Sequence, residues 1–132
     1  MALVVGLSNP VLVSPVAAQQ DVPLPTRSQD YLRDAITLAG ILGSAHGVRF
    51  VCHGDGDQYW RQHMMDLLAM EAPERGSLRD SMVRAFNNSF TRMRERYRRC
   101  TDQVREEEAL YAAEGRDLAN KMAASYFPRP AR

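Results

Sequence analysis

Lysine is nearly missing from this chain: Lys121 stands alone, and the other strongly basic side chains are all arginine. Genome composition produces such a bias as readily as ligand chemistry does, so it carries no functional reading. Cysteine is cut to two residues, Cys52 and Cys100. With no Cys-x-x-Cys and no four-ligand Cys/His set, the pattern speaks against thiol redox exchange, haem attachment and a structural zinc site. Alternating β-branched runs are missing from residue 19 onward, which removes sheet from the fold classes. An excess of either charge is missing too: the formal net charge is +1, so no overall field recommends a nucleic-acid partner. Nor is there a glycine-rich phosphate loop, a Gly-x-Ser-x-Gly elbow or a His-Glu-x-x-His zinc motif. Nothing in the sequence specifies an enzyme, and no catalytic residue, cofactor or metal is expected.

What is present suits one globular domain: 132 residues, 45% hydrophobic and 25% charged. Ala2 to Ala18 carries no charge and ends in Val16-Ala17-Ala18, the small-residue pattern after which signal peptidases cut. Residues 1–18 therefore read as a signal peptide, with the mature chain starting near Gln19 in the periplasm. No Lys or Arg precedes Leu3, so the basic n-region of such a signal is missing. Pro10 and Pro15 make the same stretch a poor membrane-spanning helix, because each removes a backbone donor where lipid offers no replacement. No other segment is expected to approach spanning length. Residues 19–26, with Asp21, Pro23 and Pro25, read as an extended linker, residues 27–127 as the folded domain and residues 128–132 as a tail.

That domain reads as all-α, a small up-down bundle of about four helices. Thr26 or Ser28 can cap the first, in which Tyr31, Ala35, Leu38, Ala39, Leu42, His46 and Arg49 recur on one face and Gly54 gives the stop. Asp57 can cap the second, with Trp60, Met64, Leu67 and Leu68 buried and Glu71 at its far end before Pro73. Ser77 with Asp80 forms a variant capping box for the third, whose stripe runs Leu78, Met82, Phe86, Phe90, Met93 and Tyr97. Thr101 with Asp102 starts a fourth that carries Val104, Tyr111, Leu118 and Met122. Alternating directions send the first and third helices the same way, so Cys52 and Cys100 arrive at one end of the bundle. In an oxidising compartment the simplest reading of that pair is a disulfide.

Candidate binding residues gather at this stapled end: His46, Arg49, Trp60 and Arg61. Arg49 extends an apolar stripe, where a guanidinium needs acceptors, and Asp55, Asp57 or Glu71 can supply them. The plainer reading of Arg49 is a structural ion pair. Trp60, beside Tyr59 and Arg61, can form an aromatic and cationic surface, although a tryptophan in the first turn of a bundle helix is more often core. His46, His53 and His63 lack the one-turn spacing of helical metal ligands, and Asp55 with Asp57 lacks the closing glutamate of a calcium loop. Arg92, Arg94, Arg96, Arg98 and Arg99 form the densest basic run. Spread around a helix, with Glu95 among them and Glu106 to Glu108 following, they read as a solvated, partly self-neutralised face.

The combination Leu38-Ala39, Ile41-Leu42-Gly43, His46, Arg49, Cys52, Trp60-Arg61, Met64, Leu67-Leu68, Glu71, Phe86-Asn87, Tyr97, Cys100-Thr101 and Glu114-Gly115 covers nearly all of the chain after the linker. It resembles the small secreted proteins of alphaproteobacteria that form an uncharacterised, signal-peptide-bearing family. The resemblance implies a periplasmic location and brings no catalytic residue. With the export signal and the staple, it leads to a non-enzymatic periplasmic module that binds a protein or an envelope component in cell-envelope maintenance. No nucleic-acid partner is expected, and membrane contact only through an uncleaved signal segment. The rival is a small envelope enzyme or ligand-binding protein with its site at the Cys52, Arg49 and Trp60 end. A pocket there in which a histidine and a carboxylate converge favours the rival, and a filled bundle end with a flat apolar or charged surface elsewhere favours the module.

Overall fold

Each of the four apolar periodicities becomes a helix: α1 (Gln29–His53), α2 (Tyr59–Glu71), α3 (Ser77–Arg96) and α4 (Asp102–Tyr126). The structure is a computed structural model that describes residues 26–127. The expected signal peptide, nearly all of the expected linker and the expected tail lie outside the described residues. Two caps form as the sequence implies: Ser28 Oγ accepts the Tyr31 N–H at 3.1 Å and Thr101 Oγ1 accepts the Val104 N–H at 3.2 Å. Gly54, the one positive-φ glycine among the described residues at φ 78°, ends α1. Two other caps differ from expectation. α2 begins at Tyr59, so Asp57 accepts the Tyr59 N–H from one residue outside the N-cap position, its carboxylate being shared with Arg49. Ser77 is already inside α3 behind Gly76, and a serine in helical conformation cannot close a capping box.

Directions alternate, yet the helices do not occupy the corners of a square. α2 and α4 run antiparallel to α1, as Tyr31 with Glu71 and Lys121 with Asp34 show. α3 runs parallel to it, from Phe86 beside Gly43 to the Cys52–Cys100 disulfide. α1 touches all three others, whereas no Cα atom of α4 lies within 8 Å of α2 or α3. The central position explains the composition of α1, which is buried without interruption from Ile41 to Val48. It also corrects the expectation about spanning length: α1 is long and apolar enough to cross a membrane, but here it is mostly buried as a core helix.

The approach of α3 is close because α1 offers it glycines. A Cβ on Gly43 would lie 2.8 Å from the Phe86 carbonyl carbon, and one on Gly47 would lie 2.7 Å from both Phe90 O and Met93 Cβ. The main core runs from Tyr31 to Leu42 with Met64, Leu67, Met82, Phe86 and Met122. A smaller cluster of Val48, Met93 and Val104 sits beneath the disulfide. The staple thus closes the end where the core is thinnest.

Candidate functional site

Since α2 and α4 each lean on α1 and not on each other, a groove of about 750 Å³ opens between them. Leu38, Leu42, Ala45 and Arg49 of α1 form its floor, one residue per helical turn. Trp60, His63, Leu67 and Met70 line the α2 wall, and Tyr111, Ala112, Gly115 and Ala119 the α4 wall. Gly115 lets α4 come close: a Cβ there would already touch Ile41 at 3.4 Å and Leu38 at 3.6 Å. The walls also carry Asp66 and Arg116, one charge of each sign.

Polar chemistry concentrates at the stapled end of the groove. Arg49 donates from Nε to Asp57 Oδ1 at 2.8 Å and from Nη1 to Glu108 Oε1 at 2.9 Å. Trp60 Nε1 donates to the same Glu108 oxygen at 2.8 Å. These three hydrogen bonds join α1, the start of α2 and α4 in one cluster. Its members are largely shielded, with side-chain exposures of 27% for Arg49, 20% for Asp57 and 17% for Glu108, so each bond is stronger than on an open surface. The carboxylate hydrogen bonds raise the pKa of Arg49, whereas the Arg49 bond and then the Tyr59 N–H hold Asp57 below its usual 3.8. One cation between two anions leaves the cluster net negative. Glu108 Oε2 takes no hydrogen bond from the described residues, so its acceptor capacity is unspent. Tyr59 completes the rim, with the Arg49 guanidinium 5.0 Å from its ring centre and His63 4.8 Å away edge-on.

Of the four residues singled out in the sequence, the structure brings Arg49 and Trp60 together and turns the other two away. His46 is 4% exposed and faces α3, its ring 4.9 Å from Phe90 and 5.6 Å from Phe86. Three residues along a helix rotate a side chain by about 60°, enough to move it from the α4 side to the α3 side. Its Nδ1 has no hydrogen-bond partner among the described residues. Burial lowers its pKa from the usual 6.5, the Arg61 charge adds to that, and Asp57 opposes it. Arg61 itself is exposed.

The sequence offered Glu71 as an acceptor for Arg49, but Glu71 lies at the opposite end of α2. There it binds Arg27 at 2.9 Å and Tyr31 at 2.8 Å, and burial followed by that hydrogen bond pushes the Tyr31 phenol up to about 12. The acceptor that sequence reasoning missed is Glu108, hidden in a run that reads as solvated charge. A signal existed: position 108 fills the gap in the Val104, Tyr111 stripe. With Glu108 turned inward, Arg92, Arg94, Arg96, Arg98 and Arg99 have no carboxylate within 4.0 Å among the described residues, so the expected self-neutralisation is not found.

Comparison with known families gives one match: the model of a family described as protein of unknown function (DUF2385) fits residues 30–126. No curated protein and no solved structure matches the chain.

Proposed function

The chain belongs to the DUF2385 family of proteins of unknown function, and from that premise we propose that it is a non-enzymatic ligand-binding domain of the cell envelope. Its site is the groove between α2 and α4. Its ligand is an elongated, mainly apolar molecule with a cationic or hydrogen-bond-donating head. The observation that carries this reading is an open apolar groove of about 750 Å³ that ends in a single polar cluster. Small-molecule sites have about this size and this division between apolar walls and a few placed polar groups. The head follows from charge: the single Arg49 cation is outnumbered by the carboxylates of Asp57 and Glu108, so an anionic head would meet repulsion, whereas a donor can reach Glu108. Of the two readings of the sequence, this is the ligand-binding form of the rival, supported by an open groove at the Arg49 and Trp60 end whose lining includes His63 and Glu108.

Support for a non-enzymatic role comes from the lining, which holds no serine, threonine, cysteine or lysine nucleophile and commits Arg49 to Glu108. Support for the exported setting comes from the uncharged first 18 residues and from the disulfide, which suits an oxidising compartment. Trp60 is the sole tryptophan and borders the groove, so it reports occupancy directly. Dodecylammonium, titrated below micelle formation, is expected to shift Trp60 emission saturably and to bind more tightly than dodecanoate. Glu108→Gln removes that preference. Ala112→Phe, which fills the groove without touching the ion pair, blocks both ligands. Equal affinity for the two heads would overturn the assigned head chemistry, and no saturable response to either would overturn the groove as a ligand site.

A further inference from the structure

The second unexplained feature is the arginine surface around the end of α3. Between Arg92 and Cys100 the chain carries five arginines against one glutamate, while the whole chain has a net charge of only +1. All five arginines are exposed. A cationic helix end complements the helix dipole, but that effect fades within the last turn and does not account for Arg98 and Arg99 in the following loop.

How these side chains are held is informative. The Arg94 guanidinium lies 4.3 Å from the centre of the Phe50 ring and 5.2 Å from that of Phe90, and Arg96 lies 5.4 Å from the Tyr97 ring. Such a cation–π contact leaves the guanidinium N–H donors available for oxygen acceptors, the reverse of an ion pair, which consumes them. Phe50, Val51, Arg94, Tyr97 and Arg98 enclose a shallow cleft of about 240 Å³ there, on a different face from the α2–α4 groove. Arginines fixed by aromatic rings, with their donor edges unspent, form a surface prepared for oxyanions.

We infer that this face docks on an anionic membrane surface by binding the phosphates of lipid headgroups. Two observations favour a lipid plane over other phosphate-bearing polymers. Arg94 and Arg98 share one cleft with Phe50 and Tyr97, Arg96 lies against the Tyr97 ring, and rings set among cations suit the headgroup layer. The disulfide suits an oxidising compartment, which sets the chain apart from intracellular nucleic acid. The choice of lipid rests on the exported reading, whereas the free arginine donors do not. The inference departs from the expectation that only an uncleaved signal segment meets the membrane.

The test measures partition of the full, disulfide-bonded chain onto phosphatidylcholine vesicles with and without phosphatidylglycerol. Residues 2–18 are uncharged, so any insertion of that stretch occurs on both vesicle types and cancels in the ratio. The expected ratio favours the anionic vesicles by about tenfold or more at low salt and collapses at high salt. Combined Arg94→Gln, Arg98→Gln and Arg99→Gln removes most of it. Combined Arg33→Gln, Arg75→Gln and Arg84→Gln changes net charge equally at exposed sites elsewhere and leaves it in place. A ratio near one overturns the inference, as does an equal loss in both variants, which would reduce the effect to net charge. Tighter binding to an oligonucleotide than to anionic vesicles at the same salt overturns the choice of lipid.

Discussion

At position 46 a buried imidazole stacks with two phenylalanine rings and its Nδ1 is unpaired among the described residues, so the folded chain favours its neutral form. The folded pKa is lowered, and therefore the unfolded chain takes up a proton near the ordinary 6.5 that the folded chain resists. Stability is full above that value and falls as the pH drops below it, by at most about 1.4 kcal/mol per pH unit. His46→Met keeps a similar volume and removes both the titration and the unpaired nitrogen. Urea unfolding is expected to show it about 1 kcal/mol more stable than the parent at pH 7, with the slope between pH 7 and 5 flattened. A slope that persists unchanged would remove His46 as its source. Legibility at this scale divides cleanly. Arg49 is legible because a charge interrupts an apolar stripe, and its bond to Asp57 lies within reach of local reasoning. Glu108, 59 residues away, is not: its role depends on which face of α4 meets α1, and three adjacent glutamates look alike until that face is known.

The helices themselves are legible from apolar spacing, and their ends from Ser28, Gly54, Pro73 and Thr101. What spacing hides is that α1 is central, since the residues that reveal it are glycines, which an apolar stripe does not count. Those glycines make the contact between α1 and α3 testable. At Gly43 an added methyl would collide with the Phe86 backbone, which cannot rotate away as a side chain tip can. Gly43→Ala is expected to lower stability by about 3 kcal/mol, at the upper end of overpacking effects. At Gly40 the same methyl finds ordinary contact, 3.5 Å from Ser89 Oγ. Gly40→Ala therefore gains helix propensity and is expected to stabilise by about 0.5–1 kcal/mol. Chemical denaturation of the pair decides the matter, and similar effects at both positions would refute the close crossing.

Over the whole molecule, the meeting of Cys52 and Cys100 follows from chain direction, because helices that alternate return their first and third ends to the same end of the bundle. A sequence separation of 48 gives about 4 kcal/mol from chain entropy, comparable to much of a small domain's net stability. Reduction is accordingly expected to lower the melting temperature by more than about 10 °C, read by circular dichroism with and without reductant. An unmoved transition would deny the staple its stabilising role. The groove has a mechanical consequence that follows from the same layout. α2 and α4 are two jaws mounted on one rod, with no backbone bracing between them. Among the described residues, one side-chain hydrogen bond latches the jaws, Trp60 to Glu108. Opening the mouth breaks that latch and leaves the packing of each jaw on the rod intact. The acceptor in the latch belongs to the same Glu108 carboxylate that the proposed ligand's head would reach, so under that proposal capture and release would share one switch.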